Sequence, residues 1–376
     1  MTEFKILMWM NMPSHHQSAF YREIRNQGID LIVCYYGIVD KRRRNMGWNT
    51  HIPLSNFERY FSLKYQGLES IEDWHYRIHI VPGYGNRFLR KLVVILSNAK
   101  VKWIHWSERS HPGLRWYLSY PIKFWYAQMV NHHAIGAFGC GNLAIDDFIS
   151  WGIRRELLSI LPYSPEHSSK VKIEKLESLK DTLKSKRVFL YIGRLEYQKG
   201  IDLLLKAFTE ASKSDRARNW VLVLAGNDLS NGYYEFFTKK MSIENIVFFL
   251  GVIPASEILA VHMIADVFIF PTRYDGWGAV VSESASQGKA LIVSEQCDAA
   301  RHLVETGING FVIKAGSWHS LAYAMQAYIR NPKMADYHGQ ESLLIYQKFS
   351  PQSNAKRFIK IVRSWLITSY NDELSP

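Results

Sequence analysis

Two short loops hold the residues best suited to chemistry. The first, Gly193-Arg194-Leu195-Glu196-Tyr197-Gln198-Lys199-Gly200, follows an apolar run at Val188–Ile192 and precedes a helix expected to open at Ile201. Its two glycines allow a tight turn and close approach of backbone to a ligand. Arg194 and Lys199 place two cations at one strand end, and the helix N-terminus adds unpaired N–H groups and the positive end of a dipole. Together these groups form a receptacle for a diphosphate. Taken alone, the loop is equally an ordinary βα connection with surface charges.

The second loop follows Val267–Phe270 and reads Pro271-Thr272-Arg273-Tyr274-Asp275-Gly276-Trp277-Gly278, continuing to Glu283. Gly276 and Gly278 open the next helix, so their N–H groups can face a phosphate. Glu283 stands eight positions after Asp275, roughly two turns further along. One acid in the loop and one on the helix can accept hydrogen bonds from paired hydroxyls, as a sugar or a ribose presents. The competing structural reading makes Asp275 a helix cap and Glu283 a surface residue. The apolar neighbours of Glu283, from Ala279 to Ala285, weaken that alternative.

Such loops need strands to hold them. Short apolar runs occur at Lys5–Met10, Ile29–Tyr35, Val101–Trp106, Ala134–Phe138 and Leu158–Leu161. A second series follows at Val188–Ile192, Trp220–Ala225, Ile246–Leu250, Val267–Phe270 and Ala290–Val293. Most are continuous rather than alternating, which predicts parallel strands covered by helices on both faces. Strand–helix alternation through the chain predicts an α/β fold of two doubly wound Rossmann-like domains facing across a cleft. The polar stretch from Ser164 to Lys186 interrupts the pattern and marks the boundary between residues 1–164 and 186–350. A helix over residues 352–370, with an apolar stripe through Phe358, Ile359, Ile361, Val362 and Trp365, is expected to pack back on the first domain.

The second half resembles the GT-B glycosyltransferases of family 4, the "group 1" type, which act with retention. The matching pieces are Gly193-Arg194-Leu195 with Lys199-Gly200, Leu224-Ala225-Gly226, Val247 to Gly251, Ala265 to Thr272, Asp275-Gly276-Trp277-Gly278 through Glu283, Gly288, and Gly307 to Phe311. The resemblance implies a nucleotide-diphosphate sugar as donor, bound by residues 186–350. It also implies that Arg194 and Lys199 clamp the diphosphate, that Asp275 holds hydroxyls of the transferred sugar, and that Glu283 holds the ribose. The family usually carries Glu where Asp275 stands, and Asp is one methylene shorter. No metal or other cofactor is implied. A saccharide or lipid-linked saccharide acceptor on residues 1–164 is implied, in polysaccharide or glycolipid assembly such as that of lipopolysaccharide.

The first half is less legible. The loop after its first strand, Asn11 to Gln17, lacks the glycine pair common in the family. The strand at Val101–Trp106 ends in His105-Trp106-Ser107-Glu108-Arg109. Related enzymes often place a histidine there beside the transferred sugar, which makes His105 a catalytic candidate and Glu108 and Arg109 acceptor-side candidates. The position of His105 between two tryptophans fits core packing equally. Downstream, Trp116, Tyr117, Tyr120, Phe124, Trp125 and Tyr126 fit either core packing or docking on a bilayer surface.

Composition bounds the rest. The chain has 376 residues, 46 Lys and Arg against 34 Asp and Glu, and a net charge of +12. That excess suits an anionic partner. The run Lys41-Arg42-Arg43-Arg44 near Trp48 is either a solvated loop or a contact for anionic headgroups. No zinc finger, RNA-binding signature or basic-helix motif supports nucleic acid. Cys34, Cys140 and Cys297 are widely spaced, so neither disulfides nor a zinc site is expected. With no leader or spanning run evident, a cytoplasmic protein, free or peripheral on the inner membrane face, is expected. Gly139-Cys140-Gly141-Asn142-Leu143-Ala144 matches a dinucleotide fingerprint and raises an NAD-dependent oxidoreductase as a rival. It does not open the first βαβ unit, however, and the nearest suitable acid, Glu166, falls in the polar stretch. A non-catalytic nucleotide-sugar binder is the other rival.

Overall fold

The computed structural model describes residues 4–39, 41–44, 53–62, 66–165 and 183–374. By internal contact the chain divides into two units. One comprises residues 1–39, 50–164 and 349–376, and the other comprises 40–49 and 165–348.

Among the described residues the first unit holds a seven-stranded parallel sheet. Its strands are β1 (Lys5–Met10), β2 (Asp30–Tyr35), β3 (Glu58–Tyr60), β4 (Arg77–Val81), β5 (Trp103–Ser107), β6 (Gly136–Gly139) and β7 (Leu158–Ile160), in the order β3-β2-β1-β4-β5-β6-β7. The second unit holds a six-stranded parallel sheet of β8 (Arg187–Ile192), β9 (Trp220–Ala225), β10 (Val247–Gly251), β11 (Val267–Phe270), β12 (Ala290–Ser294) and β13 (Gly310–Ile313). Its order is β10-β9-β8-β11-β12-β13. Both are doubly wound: the order reverses beside the first strand of each sheet, and the loops at the carboxyl ends there are where ligands bind. The interiors are the apolar runs themselves; Ile6 to Trp9, Phe189 to Tyr191 and Phe268 to Ile269 are fully enclosed.

All ten expected strands form, with ends shifted by at most two residues. Three further strands, β3, β4 and β13, were not anticipated. The most consequential is β4, which pairs with both β1 and β5 at the centre of its sheet. Arg77 and His79 break its apolar run in sequence, yet both are buried. Arg77 pairs with Asp30 at 2.8 Å. His79 accepts from Trp9 Nε1 at 3.1 Å through Nδ1 and donates to the Trp74 carbonyl at 2.8 Å through Nε2. Buried polar groups are tolerated when they are bonded in this way.

The C-terminal helix, Pro351–Leu374, lies on the first unit. Phe358 packs against Phe20 and Phe138, with centroids 5.9 and 5.6 Å away, and Trp365 sits 4.6 Å from Phe138. Asn354 donates to the Pro162 carbonyl at 3.1 Å. The aromatic segment forms two helices, Leu114–Leu118 and Tyr120–His133. Core packing accounts for part of it: Tyr126 is enclosed in the core, whereas Tyr117 and Phe124 are exposed. The basic run forms the short helix Lys41–Arg44, while Trp48 lies outside the described residues, as do Glu166 and most of the polar stretch. Cys34, Cys140 and Cys297 are buried, and none is joined in a disulfide.

Candidate functional site in the second unit

The two loops meet because β8 and β11 are neighbours in the sheet. Gly200 allows the close approach. Its φ is +75°, and a Cβ there would lie 2.2 Å from the Pro271 carbonyl oxygen. Only glycine satisfies both demands. The loops are then laced together. Arg273 N–H donates to the Gln198 carbonyl at 2.8 Å. The Arg273 guanidinium grips both oxygens of Asp202 at 2.8 Å each and covers the Tyr197 ring at 3.7 Å. Thr272 Oγ1 donates across to the Gln198 carbonyl at 3.2 Å.

This frame brings Lys199 to Asp275, with Nζ 2.5 Å from Oδ2. Both side chains are largely sheltered, so the pair is screened less than a surface pair. Arg194, on the same loop, pairs with Glu196 at 2.8 Å. Each cation therefore faces a carboxylate at the carboxyl edge of the sheet, and an anion arriving there competes with those carboxylates for it.

Gly278 caps the helix Ala279–Ser286 with left-handed backbone and no side-chain acceptor. Gly193 begins the first loop, and Gly276 and Trp277 carry the second into this helix. Trp277 is fully enclosed, and its Nε1 donates to Ser282 Oγ at 3.0 Å. The Trp277 carbonyl accepts from Ala299 N–H at 2.9 Å. The indole anchors the helix start, so the role open to Trp277 toward a ligand is through its backbone.

Glu283 is buried, as its apolar neighbours suggested, and its Oε2 lies 3.7 Å from His262 Nε2. His262 is also fully enclosed. Burial pushes its pKa below the ordinary range, and the adjacent Glu283 opposes that shift. Glu196, Arg273, Asp202 and His262 were given no role from sequence. The first two sit inside the recognised loops, but nothing local says that Arg273 reaches across to Asp202, 71 positions away in the chain.

The candidates in the first unit come out differently. His105 is wholly buried, accepts from the Tyr126 hydroxyl at 3.1 Å and donates to Ser107 Oγ at 2.9 Å. Both ring nitrogens of His105 are thus engaged within the first unit. Its neighbours Glu108 and Arg109 lie half-buried in the loop after β5. That loop is pinned by Asp147, which accepts from Ser110 N–H at 2.6 Å and from the indoles of Trp116 and Trp151 at 2.9 and 3.0 Å. The Gly139–Ala144 turn does join a strand to a helix. A Cβ at Gly139 would lie 2.9 Å from Ile145 Cδ1, so that glycine serves close helix–strand packing.

Burial holds the imidazole pKa of His79 down to about 4 and that of His105 down to about 3. Below the unfolded value near 6.5, the unfolded chain takes up protons that the folded chain excludes. The stability of the first unit therefore falls as pH drops from about 6.5 toward 4, by about 1.4 kcal/mol per pH unit for each histidine. Urea titrations at pH 7, 6 and 5 test this; midpoints independent of pH would mean that both rings take up protons in the fold as readily as in the unfolded chain.

Among the described residues no group of three or more His, Cys, Asp or Glu side chains converges as a metal-ligand set, and no helix is long and apolar enough to cross a membrane.

Two doubly wound parallel domains of this kind have the GT-B architecture. The family described as "Glycosyl transferases group 1" matches residues 174–364, just over half of the chain, and the chain belongs to that family. It is 24% identical over 178 residues to an uncharacterized glycosyltransferase of Methanocaldococcus jannaschii, covering 47% of this chain and 45% of that protein. It is 27% identical over 158 residues to the lipopolysaccharide core biosynthesis mannosyltransferase LpcC of Rhizobium leguminosarum bv. viciae, covering 40% of this chain and 43% of LpcC. The matched region thus spans less than half the length of these curated relatives. The fold is similar to that of HepE from Anabaena in complex with UDP and glucose, with TM-score 0.71, 16% identity, and 96% of this chain and 100% of HepE covered. It is also similar to WaaG, a glycosyltransferase involved in lipopolysaccharide biosynthesis, with TM-score 0.62, 13% identity, and 95% and 99% covered.

Proposed function

We propose that the protein transfers a sugar, with retention as in family 4, from a nucleotide-diphosphate sugar to a saccharide or lipid-linked saccharide acceptor. One observation carries this reading: Lys199 and Asp275 meet at 2.5 Å at the ends of adjacent strands, with Arg194 on the same loop. Cleaving a sugar–diphosphate bond develops negative charge on the departing phosphate. Arg194, Lys199 and the N–H groups at Gly278 stabilise that charge in place. Once the diphosphate takes over Lys199, Asp275 is released to accept from hydroxyls of the transferred sugar. Glu283 accepts from the ribose. The two cations supply the charge stabilisation that a metal provides in other phosphate chemistries, so transfer proceeds with chelator present. The first unit receives the acceptor near Glu108 and Arg109. The names of LpcC and WaaG favour assembly of polysaccharide or glycolipid, in the cytoplasm at the inner face of the membrane.

Thermal unfolding with UDP-glucose, GDP-mannose and ADP-glucose tests the donor class. A donor present at 100 times its Kd stabilises the fold by about 2.7 kcal/mol. One nucleotide class should raise Tm, with and without EDTA, and NMR of the product should show the anomeric configuration of the donor preserved. Failure of all three donors at millimolar concentration would overturn the reading. A donor that binds yet is neither transferred nor slowly hydrolysed would leave a nucleotide-sugar binder without catalysis.

A further inference from the structure

The first unit carries an apolar face that its described residues leave uncovered. Along the helices Leu114–Leu118 and Tyr120–His133, residues 114, 117, 118, 122 and 125 recur at helical spacing. Ser119 between the helices keeps right-handed backbone, with φ −88° and ψ −2°, so the stripe is continuous. Leu114, Tyr117 and Leu118 are 75%, 70% and 72% exposed, whereas side chains of this kind are ordinarily inside. The stripe continues into a groove where Ile122 and Trp125 face Val94 and Ile95 of the helix Arg87–Asn98, with Arg87 and Lys91 on its rim. That helix buries Leu89, Leu92, Val93 and Leu96 on its other side.

Charge completes the pattern. The segment 83–133 contains eight Lys or Arg and a single acid, Glu108. Of these basic residues, Lys123 is enclosed and donates to Ser110 Oγ at 2.8 Å, and Lys100 and Lys102 line a separate pocket against the C-terminal helix, so these three do not contribute to the face, whereas Arg87, Arg90 and Lys91 line its groove. Exposed Leu, Tyr, Ile and Trp beside exposed Arg and Lys suit a surface that is apolar below and anionic at its headgroups. A polyanion without an apolar layer would not use the stripe.

We propose that this face docks in the interfacial layer of an anionic bilayer, with Leu114, Tyr117, Leu118, Ile122 and Trp125 entering the headgroup–acyl boundary and Arg87 and Lys91 on the phosphates. The surface deepens, and rests on, the lipid-linked acceptor reading, because docking would bring such an acceptor to the first unit. Vesicle binding is read without any donor, so its outcome is separate from that of sugar transfer.

The experiment is sedimentation of the full chain with vesicles of phosphatidylcholine alone and of equal parts phosphatidylcholine and phosphatidylglycerol. Binding to the anionic vesicles should be at least tenfold tighter and should weaken between 0.1 and 0.5 M salt. Each basic residue near the surface contributes about fivefold, so Arg87→Gln with Lys91→Gln should cost about 25-fold. Leu114→Ser, Tyr117→Ser and Leu118→Ser together should cost at least tenfold, with Tm unchanged because all three are exposed. Binding by the triple variant equal to wild type overturns the proposal. So does a self-associated protein that the triple variant renders monomeric while neither form binds vesicles; the face would then join two copies of this chain.

Discussion

Lys199→Ala should lower turnover by two to three orders of magnitude while leaving the second unit folded. Losing one preorganised group that stabilises charge developing in a transition state typically costs about 100- to 1,000-fold. The expectation rests on the diphosphate assignment, and it separates a functional lysine from a structural one. If Lys199 only neutralised Asp275, its removal would be felt in stability. Asp275 remains 19% exposed, so water can solvate it and the expected loss is about 1–2 kcal/mol. Arg194→Ala should act in the same direction, since Arg194 lies on the same loop and is likewise paired, with Glu196 at 2.8 Å. Donor hydrolysis or transfer rates alongside Tm for both variants provide the check. Turnover within threefold of wild type in both would remove the phosphate clamp.

Gly226→Ala should destabilise the second unit by about 2–5 kcal/mol or more. The φ of Gly226 is +141°, and a Cβ there would stand 1.8 Å from the Gly193 carbonyl oxygen. Both partners are backbone, held by strand-end hydrogen bonds: Gly193 N–H donates to the Ala225 carbonyl at 2.9 Å and Gly226 N–H to the Gly251 carbonyl at 2.8 Å. No side chain can turn aside to relieve the overlap. Backbone strain of about 1–2 kcal/mol adds to overpacking of about 1–3 kcal/mol or more, a large part of a domain's whole stability. Gly307→Ala is the control, since its φ is +83° but nothing lies within 4 Å of the added Cβ. It should cost only about 1–2 kcal/mol, the strain alone. Urea unfolding and soluble yield compare them; a Gly226→Ala protein as stable as Gly307→Ala would show that the strand ends can part freely.

The amino-acid order by itself determined the class of architecture and singled out the loops of the candidate site. Continuous apolar runs at Lys5–Met10, Trp220–Ala225 and Val267–Phe270 became strands with those bounds, because a strand buried on both faces must be apolar throughout. The glycines and cations of the loop after β8 were legible for a similar reason: glycine and charge are unusual at a strand end unless backbone must turn or an anion must be met. Only the tertiary structure decided what those residues touch. Lys199 and Asp275 are 76 positions apart, and their meeting depends on β8 pairing with β11, which no local pattern encodes. The strand β4 was hidden because Arg77 and His79 look like surface residues until Asp30, Trp9 and Trp74 arrive to satisfy them. The sequence placed His105 between two tryptophans, and only the structure showed that Tyr126 and Ser107 engage its two nitrogens. The aromatic segment was divided between core and surface by the same cause. Periodicity records which residues share a face, whereas burial of that face depends on whether a distant part of the chain comes to cover it.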